Sequence, residues 1–150
     1  CAWIGGQVTS QAVAPLDENR LIEQVAPTRN YADFRAQIRR YYQDRYQVPD
    51  VMPDGAPLNP GNGWVSSLCF EPKVGLEVLQ GMLQPYINSG QIEILLNAQP
   101  VSCTGSPDHL DAVRLNPAGA PTELRARYFP DATDTGDLLP LAGLPNATGA

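Results

Sequence analysis

Charge is scarce in this chain. Only 17% of its 150 residues are Asp, Glu, Lys or Arg, and residues 1–16 carry none of them. Cations are the scarcer sign, ten against sixteen acidic residues, for a net charge of −6. A nucleic-acid-binding surface needs a basic footprint, so no nucleic-acid partner is expected. Apolar runs are short, and none approaches the ~18 residues of a membrane-spanning helix. Histidine occurs once, at His109 beside a turn sequence, and no G-x-S-x-G is present, so a Ser-His-Asp hydrolase lacks its parts. The three cysteines, Cys1, Cys69 and Cys103, are an odd number without C-x-x-C spacing. They supply neither a disulfide framework nor a zinc site, and Cys69 and Cys103 read as small core residues.

What is present is an ordinary globular composition, 43% apolar, with 15 prolines that stiffen its loops. One domain over 1–150 is expected from this length. Five of the ten basic residues, Arg29, Arg35, Arg39, Arg40 and Arg45, cluster in one segment. They read either as a solvated helix face or as a site for an anion.

In "NYADFRAQIRRYYQDRY", Tyr31, Phe34, Ile38, Tyr41 and Tyr42 recur at spacings of three and four, the mark of an amphipathic helix. Asn30 is the expected cap and Val48-Pro49 the stop. Residues 49–63, crowded with Pro, Gly, Asp and Asn, predict a long ordered loop or lid that Trp64 closes. Trp64 has two readings, a core anchor or part of a ligand pocket. A second helix starts at Pro72, where a missing N–H is harmless, and stops at Ser89-Gly90. Its stripe is Val74, Val78, Leu79, Met82, Leu83 and Tyr86. The apolar run 92–97 reads as a buried parallel strand. Residues 99–130 hold three short strands with turn sequences between them, an antiparallel meander. The fold class is therefore α/β with an inserted three-stranded antiparallel piece.

The loop "DATDTGDLLPLAG" (131–143) places Asp131, Asp134 and Asp137 around Gly136. A calcium loop of EF-hand register fails at its twelfth position, which is Ala142 where a bidentate Glu is required. A plain capped turn before a short helix is one remaining reading. A cofactor turn is the other: small residues let backbone N–H groups approach a pyrophosphate, and a carboxylate accepts bonds from sugar-like hydroxyls.

Three pieces occur in order, "WIGGQVTSQAVAPLDE", "LNPGNGWVSSLCFEP" and "DATDTGDLLPLAG", with helix, strand and meander between the last two. Over essentially all 150 residues the chain resembles FAD-dependent oxidoreductases of the glutathione-reductase-like, two-dinucleotide-binding-domain type, and more closely a bacterial group of them. The resemblance implies a partial FAD-binding, Rossmann-like domain. It implies FAD as cofactor and a small-molecule substrate that gives a hydride to it. In its terms Gly5 and Gly6 permit close backbone approach to the flavin's pyrophosphate and ribityl chain, and Gln7, Thr9 and Ser10 offer hydrogen bonds. Val101 falls where relatives lean backbone on the adenine. Ala132, Thr133, Gly136 and Asp137 form the late flavin-binding turn, with Asp137 on the ribityl hydroxyls. Asp134 departs from the family pattern, in which glycine is common there.

No G-x-G-x-x-G occurs in the chain. Against the family pattern, 1–150 reads as an interior fragment that retains FAD poorly alone and self-associates through an exposed sheet edge. No residue stands out as catalytic and no metal ligand set is expected. The rival class is an extracellular calcium- or carbohydrate-binding module without catalysis, which predicts mostly antiparallel β structure.

Overall fold

Thr28, Arg29 and the apolar stripe behind them open the first long element, α1 (Arg29–Tyr46), in the computed structural model of the protein. The structure describes residues 2–13, 15–19, 21–25, 27–106, 109–116 and 121–147. These fall into two compact units, Ala2–Ile94 and Leu95–Ala150.

In the first unit α1 buries Phe34, Ile38 and Tyr42, the residues its periodicity singles out. Its N-cap is Thr28 rather than Asn30, which lies inside the first turn. Gln47, at a left-handed φ of 53°, ends the helix just before Val48-Pro49. The second helix, α2 (Pro72–Asn88), starts on Pro72 at its first turn and buries Val74, Gly75 and Val78. Gly90 follows it at φ 72°, a conformation glycine adopts without strain. Leu16, Leu58, Leu68 and Phe70 come from the connecting segments and complete one core with these helices. Phe34 and Phe70 meet edge to face at 5.8 Å. Burying such a side chain contributes roughly 1.5–3 kcal/mol each, so this cluster is the main source of the unit's stability.

Gly75 shows how α2 receives the N-terminal segment. A Cβ there would lie 2.7 Å from the Val8 carbonyl oxygen and 2.8 Å from the Phe70 ring. Only glycine lets the 3-10 turn Gly6–Val8 rest on the helix.

The predicted loop 49–63 is two structures. Val51 and Pro57 pair in a small antiparallel bridge, with Asp54 accepting the Ala56 N–H at 3.0 Å. Asn59 organises the rest. Its amide donates to the Gly63 and Ser66 carbonyls at 2.9 and 3.1 Å, and its Oδ1 accepts the Cys69 N–H at 2.7 Å.

The second unit holds the meander: β1 (Gln99–Ser106), β2 (His109–Asn116) and β3 (Thr122–Leu124), antiparallel in the order β1-β2-β3. β2 is central and buries Ala112 and Val113. The strand–strand connections at 107–108 and 117–120 lie outside the described residues. The four-residue helix α3 (Leu138–Leu141) packs against β1.

Residues 92–97 do not form the expected parallel strand. The Gln91 and Ile92 N–H groups turn back to the Tyr86 carbonyl, at 2.9 and 3.2 Å, and close the end of α2. A strand exists only through a ladder partner, and no described segment pairs with this run. Among the described residues the architecture is mixed: helices in one unit, and an antiparallel sheet with α3 in the other.

Candidate functional site

The residues singled out for a cofactor divide between the two units. Gly5, Gly6, Gln7, Thr9 and Ser10 belong to the first; Val101, Ala132, Thr133, Gly136 and Asp137 belong to the second.

The first group is one tight turn. Gly5 (φ 105°) and Gly6 (φ 52°) take left-handed conformations, and their carbonyls accept the Val8 and Thr9 N–H groups at 3.2 and 3.1 Å. Gly5 faces inward: a Cβ would strike Leu79 and Thr9 at 2.7 Å. Gly6 faces outward, with nothing within 4 Å of a built Cβ. Thr9 is buried, and its hydroxyl donates to the Ile4 carbonyl, so it holds the turn from beneath. Gly5, Gly6, Gln7 and Ser10 are exposed. The segment is thus uncharged, small and open along its outer backbone.

The second group is built on Asp131. Its Oδ1 accepts the Thr133 N–H at 3.0 Å and hydroxyl at 2.7 Å, and its Oδ2 accepts the Leu138 N–H at 3.0 Å. The Thr133 bonds, chiefly, hold the Asp131 carboxyl below the usual range. Thr133 in turn accepts the Asp137 N–H at 2.7 Å. Gly136 supplies the positive φ of 67° that closes the turn. Asp137 emerges exposed, with the Thr135 hydroxyl on its Oδ1 at 2.5 Å and no described partner on Oδ2. The sequence marked Asp137 but missed that Asp131 is the internal staple of the loop.

Val101 is half-exposed on β1, at a β-bulge: Pro100 pairs with Leu115 and Ser102 with Arg114, leaving Val101 without an opposite.

Elsewhere the structure corrects two expectations. The arginine cluster is not a uniformly solvated face. Arg35 is buried and bound by Glu18 and Glu23, while Arg39 donates to Glu23 at 2.5 Å and to the Leu58 carbonyl at 2.9 Å. Tyr31 and Ser66 also donate to Glu18, and Ser67 donates to Glu23 at 3.0 Å. Burial and the Glu18 carboxylate together push the Tyr31 hydroxyl up to about 12. The network ties residues 18–23 and 66–67 to α1, and leaves no free anion site on Arg35. Trp64 is not a core anchor either: it is 95% exposed. Asn59 turns its loop outward there, so hydrophobicity alone misplaced it.

Cys69 is buried as expected, whereas Cys103 is half-exposed, with its thiol pushed up by partial burial. His109 is exposed, 3.5 Å from Asp111. Among the described residues no group of three His, Cys, Asp or Glu side chains could hold a metal ion. No helix among them is long and apolar enough to cross a membrane.

The family model described as FAD dependent oxidoreductase matches residues 1–150. No curated protein and no solved structure matches the chain. The rival extracellular calcium- or carbohydrate-binding module loses its support: it requires mostly antiparallel β structure, and the longest elements are helices of 18 and 17 residues.

Proposed function

We propose, from the premise that the chain belongs to the FAD dependent oxidoreductase family, that each of its two glycine-bearing turns, taken by itself, is suited to contact the non-ring part of the cofactor. A member of this family is an oxidoreductase and its cofactor is FAD. The local chemistry fits that group. The Gly5–Ser10 turn offers exposed main chain without any anionic side chain, and open space beside Gly6 where a Cβ would otherwise stand. A pyrophosphate is favoured by such backbone N–H groups and repelled by carboxylates.

Asp137 is the single observation that carries the assignment. Its carboxylate is exposed on a turn that Asp131 fixes from within, and its Oδ2 has no partner among the described residues. On this reading its carboxylate accepts hydroxyls of the ribityl chain. Ala132, Thr133 and Gly136 keep the surrounding backbone accessible, and Gln7 and Ser10 supply polar side chains. At the Val101 bulge, backbone released from the ladder meets the adenine.

When bound, FAD supplies the two-electron chemistry by accepting a hydride from a small-molecule substrate. The protein's own task is to orient that substrate and exclude water. Denaturing the native gene product releases FAD, identified by mass and fluorescence, and Asp137→Ala lowers its occupancy. Release of FMN instead, or full FAD occupancy in Asp137→Ala, overturns the assignment.

A further inference from the structure

Among the described residues Trp64 is the most exposed large apolar side chain. Its indole has no ring contact and no hydrogen bond among the described residues. Yet it does not sit on a loose segment. Asn59 grips the chain on both sides of it, at Gly63 and Ser66, and Ser66 donates to Glu18 at 3.0 Å. An exposed indole on a segment held by such bonds is available to a ligand that stacks on it or sets a positive charge over its face.

Beside it lies a cavity of about 540 Å³, lined by Asp17, Asn19, Asn59, Trp64 and Ser67 among others, all within the first unit. Most polar groups there are already committed. Glu18 is bound to Arg35, the Asn59 amide makes three bonds, and Ser67 joins Arg35 to Glu23. No cationic side chain is among the lining residues. Asp17 is the charged exception: it is exposed, and its carboxylate has no partner among the described residues, while Asn19 has only its Oδ1 committed, to the Leu21 N–H at 2.8 Å. The cavity therefore offers one free negative charge and one free indole face. We infer that it binds a small organic cation, a quaternary or protonated amine, held between the Trp64 ring and the Asp17 carboxylate. A cation over an indole is attracted by the ring quadrupole, and the nearby carboxylate adds to it. A neutral polyol would need several free donors and acceptors, and beside Asp17 the lining side chains leave only the Asn19 amide N–H groups. This inference rests on the cavity alone and stands apart from the flavin assignment.

The test is a titration of the whole chain with choline at constant ionic strength, read by tryptophan fluorescence and by calorimetry. Saturable binding is expected with a dissociation constant of about 1 mM or tighter. The neutral isostere 3,3-dimethyl-1-butanol binds about tenfold more weakly. Asp17→Asn and Trp64→Ala each weaken choline binding about tenfold, with circular dichroism unchanged because neither side chain is buried or partnered. The Trp64→Phe protein keeps calorimetric binding and loses the fluorescence change, which assigns the signal to Trp64 rather than Trp3. No saturation by about 50 mM, equal binding of the isostere, or undiminished binding in both Asp17→Asn and Trp64→Ala overturns the inference. So does saturation by glucose in place of choline.

Discussion

Glu18 and Arg35, seventeen residues apart, form an ion pair buried on both sides: their side chains are 5% and 4% exposed. A buried pair is costly to form and far costlier to halve. Arg35→Met leaves the Glu18 and Glu23 carboxylates facing each other, and Glu18→Leu leaves the guanidinium short of a partner. Each single variant is expected to lose about 3–5 kcal/mol of stability in urea denaturation. The double variant loses clearly less than the sum of the two. Strict additivity would show that the pair does not act as a unit.

The same network sets the pH dependence. Burial alone would raise the Glu23 carboxyl, but Arg39, Ser67 and Arg35 outweigh it and leave it below its ordinary 4.5. A depressed carboxyl stabilises the fold above its unfolded value and stops doing so as pH falls through the folded one. Tyr31 has the opposite sign: raised from 10.0 to about 12, it contributes stability below pH 10 that disappears between 10 and 12. The urea midpoint should therefore fall at both ends, below 4.5 and above 10. Glu23→Gln flattens the acid limb and, being partly exposed, costs only about 0.5–1 kcal/mol at neutral pH. Tyr31→Phe leaves a shallower alkaline limb, with that of Tyr42, also raised to about 12, remaining. Unchanged limbs in both variants would move the titration elsewhere.

Two glycines of α2 are expected to respond oppositely to alanine. At Gly75 a Cβ meets the Val8 carbonyl oxygen at 2.7 Å, and backbone cannot step aside cheaply. Gly75→Ala should cost about 1–3 kcal/mol and displace the Gly5–Ser10 turn. At Gly81 nothing lies within 4 Å. Gly81→Ala should stabilise by about 0.5–1 kcal/mol through helix propensity. Thermal melts of the two variants, side by side, check both signs.

That contrast also marks what sequence makes legible. The α1 and α2 stripes, Pro72 at a helix start and the meander are local patterns, and local patterns survive in one dimension. Gly75 looks like any helix-weakening glycine until Val8 is seen above it. Glu18, Arg35 and Ser66 are equally silent, because their pairing spans 17 and 48 residues. The run 92–97 carries strand-like side chains but cannot announce a ladder partner. In the candidate site, Gly6 and Asp137 were legible as small and acidic turn residues. The burial of Thr9 and the staple role of Asp131 depend on which carbonyl or N–H folds back to meet them.

Asn59 holds three backbone groups of its loop at once. Asn59→Ala removes all three bonds and leaves the Cys69 N–H without its acceptor. A loss of about 2–4 kcal/mol is expected, since an unsatisfied group costs more than a bond is worth. Limited proteolysis should then cut between Gly61 and Ser67 faster than in the parent chain. Equal cleavage rates would mean that the loop is held by other contacts, chiefly those of Ser66 to Glu18 and Leu68.

Asp131 and Asp137 separate building the proposed cofactor turn from using it. Asp131 accepts the Thr133 and Leu138 N–H groups, so Asp131→Ala should release α3 and the turn together. Asp137 reaches outward, and its loss removes only the Thr135 bond from within the loop. Asp137→Ala should therefore keep the parent melting temperature to within about 0.5 kcal/mol of stability. FAD affinity should drop about tenfold, as expected for one charge-assisted hydrogen bond to a hydroxyl. Asp131→Ala should lower both, and Asp137→Asn should restore part of the affinity, since an amide oxygen still accepts. Flavin fluorescence titration of the native gene product, paired with thermal melts, reads the two effects separately. If Asp137→Ala leaves the flavin as tightly held as before, the open carboxylate oxygen faces something other than the ribityl chain.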